Sequence, residues 1–194
     1  DGKVCIVRKD PKEFVLNKDG DEGFVKKVNQ LYETETGNPL EFKNYLTLTR
    51  GPYEIISVID ENPDKSPYTL TGKFIDLFDP QIPVLDKKQV NPGEQAFLYN
   101  INSITDPQTP QVLATAGRVS DEKINNAKYS FVVKSPINTT NVMRVLLPEK
   151  AETIKVTDHT GSRIKREISW DESSKTCFLS FENNPKGVEV NIEW

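Results

Sequence analysis

Two carboxylates, Asp76 and Asp79, stand three residues apart in the stretch GKFIDLFDPQIPVL. Glycoside hydrolases use such a pair when both groups face one bond, at about 5–9.5 Å from each other. The surrounding residues predict a β-strand, in which the two carboxylates lie about 10 Å apart on opposite faces. We therefore interpret Asp79-Pro80 as the opening of a turn. Asp76 shares a face with Phe74 and Phe78, so we expect it to be a structural acid that bonds to nearby donors.

A second acidic stretch, NKDGDEG, resembles the front of a calcium-binding loop, with oxygen ligands at Asn17, Asp19 and Asp21. Such a loop needs glycine at its sixth position and a bidentate glutamate at its twelfth. Glu22 and Val28 occupy those two positions. The stretch is therefore a weak metal candidate, and an acidic turn in front of a helix is the favoured interpretation.

Other catalytic and cofactor motifs find no support in the sequence. His159 is the only histidine, and the surrounding TDHTG predicts an exposed turn. No nucleophile elbow accompanies it, and the chain has neither a phosphate-binding loop nor a dinucleotide fingerprint. We predict no catalytic residue in this chain and no cofactor.

Aromatic rings offer a different kind of chemistry, because flat side chains can stack on sugars. The candidates are Tyr53, Tyr68, Tyr129, Trp170 and Trp194. Trp170 precedes a polar turn, and with Tyr53 it is our candidate for carbohydrate binding. The alternative is that both rings pack in a core or at a sheet edge. Trp194 continues an alternating strand and is expected to extend the core.

The two cysteines are far apart in sequence. Cys177 alternates with Leu179 and Phe181, which predicts a buried and unreactive thiol on one strand face. A disulfide between Cys5 and Cys177 is the alternative.

Composition describes an ordinary globular chain of 194 residues with a net charge of −4 and a pI near 5.2. An acidic balance argues against a nucleic-acid surface. No apolar run reaches the ~18 residues of a membrane helix. The opening DGKVCIVRKD is strand-like, so we expect a mature chain or a fragment of a longer one. We also expect an extracytoplasmic location (periplasmic, cell-surface or secreted).

Periodicity predicts one helix followed by many strands. A 3.6-residue stripe predicts a helix over 21–34. After it, short alternating segments recur about every 8–12 residues between turn clusters such as DEKINNA and WDESS, the pattern of an antiparallel β-sandwich. We predict a mostly β, single domain over 1–194, with a weak boundary near 148–150.

Several segments resemble the C-terminal β-sandwich accessory region of bacterial glycan-degrading proteins from polysaccharide-utilisation systems. They are RGPYEIISVIDE, GKFIDLFDPQIPVL, VNPGEQAFLYNI, KYSFVVKSPINTTNVMRVLLP and SWDESSKTCFLSFENNPKGVEVNIEW. The resemblance covers residues 40–194 loosely and carries no catalytic motif. It implies an accessory domain beside an upstream catalytic barrel in the same polypeptide, with the helix-bearing residues 1–40 as the N-terminal connection from that barrel.

Three functions follow from these observations. The first is a non-catalytic domain that packs on a catalytic domain. The second is a carbohydrate-binding module with an aromatic platform. The third is a free-standing hydrolase that uses acids such as Asp60 and Asp76, and the strand alternation argues against its best acid pair.

Overall fold

The computed structural model describes residues 4–14, 16, 22–62 and 64–194. The chain divides into two compact units, residues 1–43 and 44–194. Over the described residues, the architecture is mostly β with antiparallel sheets and one α-helix, which confirms the predicted fold class.

The smaller unit contains the predicted helix. Helix α1 spans Glu22–Thr36, two residues beyond the predicted end, and a 3₁₀ turn spans Pro11–Phe14. Gly37 ends the helix with a φ of 74°, and its N–H donates to the carbonyl of Glu33 at 2.9 Å. Residues 4–8, which we expected to be strand-like, form neither strand nor helix. Alternation alone does not make a strand there, because no described segment pairs with it.

Thirteen strands form the larger unit, within the described ranges 44–62 and 64–194. They are β1 Tyr45–Arg50, β2 Tyr53–Val58, β3 Tyr68–Asp76, β4 Val84–Val90, β5 Gln95–Asn100, β6 Gln111–Thr115, β7 Arg118–Asn125, β8 Lys128–Lys134, β9 Thr140–Leu146, β10 Thr153–Asp158, β11 Arg166–Asp171, β12 Thr176–Glu182 and β13 Val188–Glu193. Sheet 1 has the order β1-β2-β5-β3-β4, sheet 2 the order β11-β12-β9-β6, and sheet 3 the order β10-β13-β8-β7.

Sheets 2 and 3 enclose the largest apolar core of the described chain. Alternate residues of β12 and β13 meet there, as the sequence predicted, and they are Cys177, Leu179, Phe181, Val188, Val190 and Ile192. Trp170 and Trp194 are half-buried against this core. Both cysteines are free thiols, with Cys177 buried and Cys5 exposed, so the structure contradicts the disulfide alternative.

Sheet 1 carries apolar side chains on both faces. One face buries Ile56, Val58 and Leu98 in a core of its own. The other face bears Ile75 and Tyr99, which pack in a layer with residues of sheet 2. Sheet 1 is therefore joined to the sandwich by a second, smaller apolar layer.

Arg144 of β9 lies in that layer and ties the two parts together. Its Nη2 donates to the carbonyl oxygen of Ile82 at 2.9 Å, and its guanidinium lies 5.5 Å from the ring centroid of Phe178. Burial lowers the pKa of Arg144, and the charge of Asp171 opposes that change. A buried cation aimed at one carbonyl fixes the loop after β3 relative to the sandwich.

Several strand boundaries differ from the sequence prediction. β7 continues to Asn125, through most of the segment that we expected to be a turn, because it pairs with β8 across a bulge between Ser120 and Lys123. The segment WDESS, which we expected to be a turn, begins inside β11: Trp170 and Asp171 are the last two residues of the strand, and the predicted turn follows them. In both segments strand pairing extends into the predicted turn.

Candidate functional site

A groove between sheet 1 and sheet 2 is the best candidate for a binding site in the described chain. We call it the aromatic groove, and its volume is about 630 Å³. Its lining residues are Tyr53, Leu77, Phe78, Asp79, Pro80, Ile82, Phe97, Val112, Leu113, Ala114, Thr115, Ala116 and Val142. This volume falls within the range of about 300–1,000 Å³ that is usual for ligand pockets.

Strand register brings the rings of one wall together. Tyr53 at the start of β2 stands opposite Tyr99 of β5, and Ile55 stands opposite Phe97. Residues directly opposite in an antiparallel pair share a face, and so do alternate residues of one strand. Tyr53, Phe97 and Tyr99 therefore project from the same face of sheet 1, toward sheet 2.

The rings of this wall are in mutual contact. The centroids of Tyr53 and Phe97 are 5.4 Å apart with an interplanar angle of 32°. The ring centroids of Phe78 and Phe97 are 6.0 Å apart. Phe78 is 60% exposed and Tyr53 is 37% exposed. Tyr99 supports Tyr53 from below, edge to face, at 5.7 Å. The wall thus presents flat apolar surface to solvent and holds it from behind.

A tight turn carries Phe78 and the acid of the groove. The Asp79 carboxylate accepts from the N–H of Gln81 at 2.8 Å, and its carbonyl accepts from the N–H of Ile82 at the same distance. Ile82 has a φ of 38°, a left-handed value that is strained for a β-branched residue. The bond from Arg144 to the Ile82 carbonyl helps hold this conformation.

The opposite wall is formed by β6 and the residues after it. A bulge between Val112 and Ala114 interrupts the pairing of β6 with β9. The Thr115 hydroxyl donates to the Oδ1 of Asn141 at 3.2 Å and accepts from the N–H of Gly117 at 3.1 Å. This wall is mostly small and apolar, so it complements the rings opposite without filling the groove.

The Asp76–Asp79 question has a structural answer. β3 ends at Asp76, and Asp79 lies in the turn that we predicted, with its carboxylate bonded to local backbone. Asp76 is 5% exposed, and it accepts from Lys88 Nζ at 2.6 Å and from the N–H of Phe78 at 3.1 Å. Its predicted donors are therefore present. Phe78 falls beyond the end of the strand and faces solvent.

The structure separates the two predicted carbohydrate-binding residues. Tyr53 lines the aromatic groove, whereas Trp170 belongs to β11 and does not. The Nε1 of Trp170 donates to the Glu172 carboxylate at 2.7 Å, and its ring packs against the sandwich core. The sequence analysis did not identify Phe78 or Phe97 as candidate binding residues. The alternation in EQAFLYN pairs Phe97 with Tyr99 on one face, but only the register places that face beside Tyr53.

The remaining candidates add no chemistry to the site. Asn17, Asp19 and Asp21 lie outside the described residues. His159 is exposed in the turn after β10, as predicted. Among the described residues, no three His, Cys, Asp or Glu side chains cluster closely enough to hold a metal ion.

Comparisons with known proteins identify no relative: no family model, curated protein or solved structure matches this chain. Within the residues that the structure describes, there is no helix with the length and apolar character needed to cross a membrane.

Proposed function

We propose that this chain is a non-catalytic β-sandwich module of a secreted or periplasmic glycan-degrading protein, and that it binds glycan in the aromatic groove. The observation that carries the proposal is the wall formed by Tyr53, Phe78 and Phe97, two of whose rings are open to solvent. The resemblance of residues 40–194 to accessory regions of glycan-degrading proteins supports the same class of ligand.

The chemistry of a pyranose fits such a wall. One face of a sugar ring presents C–H groups, which contact an aromatic face, while its hydroxyls need hydrogen-bond partners at the edge. Tyr53, Asp79 and Thr115 line the groove; the Tyr53 hydroxyl can donate or accept, and the Asp79 carboxylate and the Thr115 oxygen can accept. A few polar groups around an apolar surface are typical of ligand pockets.

Affinity gel electrophoresis tests this proposal. The wild-type chain should migrate more slowly in gels that contain a neutral polysaccharide than in plain gels. Tyr53→Ala and Phe78→Ala should each weaken binding by about 1–3 kcal/mol, the loss seen when one ring is removed from a stacked base, and should restore normal migration. Ile124→Ala is the matched control, because Ile124 is an exposed apolar residue of β7 outside the groove.

The three outcomes are distinct. Retardation that Tyr53→Ala and Phe78→Ala abolish and Ile124→Ala preserves supports the proposal. Retardation that persists in both groove variants assigns the glycan site elsewhere, and no retardation in any of a broad panel of polysaccharides rejects glycan binding.

A second candidate function, packing on an upstream catalytic domain of the same polypeptide, is favoured by a separate observation. Leu46 and Leu48 of β1 are 66% and 57% exposed, and they share a face with Ile55 of the neighbouring strand. Exposed apolar side chains on adjacent strands are typical of an interaction surface. Replacing both leucines with asparagine should leave the stability of the isolated chain unchanged and weaken its association with the catalytic domain added in trans. Association at wild-type strength would reject this surface.

A further inference from the structure

A second groove adjoins the aromatic groove along the junction of sheets 1 and 2. We call it the polar groove; its volume is about 550 Å³, and its lining includes Pro52, Tyr99, Ser103, Asp106, Thr109 and Gln111. Most of these side chains carry a hydrogen-bond donor or acceptor, in contrast to the mostly apolar lining of the aromatic groove.

The two grooves lie next to each other along sheet 1. Pro52 lines the polar groove and the next residue, Tyr53, lines the aromatic groove. On the facing wall, Gln111 of β6 lines the polar groove, and Leu113 and Ala114 of the same strand line the aromatic groove. The edge-to-face contact of Tyr53 with Tyr99, at 5.7 Å between centroids, forms the boundary between them. A ligand that stacks on Tyr53 therefore lies beside the polar groove.

The charged residues that line the two grooves, among the described residues, are all acidic. Asp79 lines the aromatic groove and Asp106 lines the polar groove, and no lysine or arginine lines either one among the described residues. The Asp106 carboxylate accepts from the Thr109 hydroxyl at 2.5 Å and from the N–H of Gln108 at 3.0 Å. These bonds, that from Thr109 foremost, lower the pKa of Asp106, so it is ionised at neutral pH. An anionic ligand meets like charge in both grooves.

We infer that the ligand is an uncharged oligosaccharide that crosses the Tyr53–Tyr99 pair, with one ring stacked in the aromatic groove and a following ring hydrogen-bonded in the polar groove. The inference rests on the proposed function, and it adds the chain length and the charge class of the ligand. Each groove alone has room for a sugar ring, and the contact between Tyr53 and Tyr99 makes the two grooves neighbouring subsites of one site.

Isothermal titration calorimetry with defined ligands tests the inference. The probes are neutral gluco-, manno- and xylo-oligosaccharides of one, two, four and six rings, and galacturonic-acid oligomers of the same lengths. For at least one neutral series we expect affinity to rise about tenfold or more from one ring to four. Acidic oligomers should bind more weakly than the best neutral ligand of equal length, and Asp79→Asn combined with Asp106→Asn should narrow that gap.

Variants separate the two grooves. Gln111→Ala should weaken four-ring binding about three- to tenfold, as expected for one lost neutral hydrogen bond. Tyr53→Ala should weaken binding at every length. Gln89→Ala is the matched control, because Gln89 is an exposed glutamine of β4 outside both grooves.

The possible results distinguish the inference from the proposed function. Binding that Tyr53→Ala weakens, but that is independent of ligand length or unaffected by Gln111→Ala, overturns the inference and leaves the proposed function intact. Acidic oligomers that bind as well as neutral ones also overturn the inference alone. No binding of any probe overturns both.

Discussion

Replacing Asp76 tests whether this carboxylate is structural. It is almost fully buried, and it accepts one bond from the ammonium of Lys88 at 2.6 Å and one from the N–H of Phe78 at 3.1 Å. Asp76→Ala removes both acceptors and leaves two donors without a partner. Asp76→Asn keeps the shape and an acceptor for the backbone N–H, and it removes the negative charge.

The expected magnitude follows from the burial of the two partners. Removing one member of a fully buried ion pair costs about 3–5 kcal/mol. The side chain of Lys88 is 28% exposed, so it can regain some hydration when Asp76 is absent. A hydrogen bond to a charged group contributes about 1.5–3 kcal/mol, so we expect a loss of about 2–4 kcal/mol for Asp76→Ala and a smaller loss for Asp76→Asn.

Urea denaturation followed by tryptophan fluorescence measures this loss. The matched control is Asp79→Ala in the same hairpin, where an exposed acid accepts one local backbone bond; it should cost no more than about 1 kcal/mol. If Asp76→Ala and Asp79→Ala unfold at the same urea concentration, the pair of Asp76 and Lys88 does not stabilise the fold. Aryl glycoside turnover that disappears in Asp76→Asn would contradict the structural role and support a hydrolase.

The remaining predictions concern the Cys177 thiol and two glycines. Burial raises the pKa of the Cys177 thiol from 9.0 to about 11, so the unfolded chain ionises first. The Cys177 contribution to unfolding free energy should therefore be constant below pH 9 and fall between about pH 9 and 11, a decline that Cys177→Ser removes in parallel denaturation curves. Cys177→Ser itself should cost about 1–2 kcal/mol, and an unchanged midpoint would show an exposed thiol. Gly117→Ala should lower the free energy of unfolding by about 1–3 kcal/mol, because the added Cβ would lie 2.5 Å from Val133 Cγ1. Gly23→Ala has open space around the added Cβ, so it should instead raise the helix signal in circular dichroism.

The helix and the sandwich core were predictable because their signals are local. The 3.6-residue stripe and the stop at Gly37 come within two residues of the end of α1. Alternation in β12 and β13 identifies the residues that the core buries, Cys177 among them. In both cases the period of the apolar residues determines which side faces inward.

The aromatic groove was only partly predictable because its parts come from distant segments. Tyr53, Phe78 and Phe97 belong to one strand, a turn and another strand. The pairing of β2 with β5 places Tyr53 near Phe97, and the pairing of β3 with β5 brings the turn with Phe78 beside them. A single sequence does not reveal register across sheets. Trp170 looked more suggestive than Tyr53 because of its polar neighbours, yet pairing with Cys177 turns its ring toward the core. Leu46 and Leu48 show the opposite case, since the apolar side chains of β1 face solvent.

Chemical-shift mapping tests the central claim most directly. A ¹⁵N-labelled chain is titrated with the neutral oligosaccharide that binds most tightly, and the shifted amides are assigned. Glycan binding in the aromatic groove predicts saturable shifts centred on Tyr53, Phe78, Phe97 and Thr115, with the amides around Trp170 unchanged. Saturable shifts centred on Trp170, or none near Tyr53 at full saturation, would contradict the proposed site.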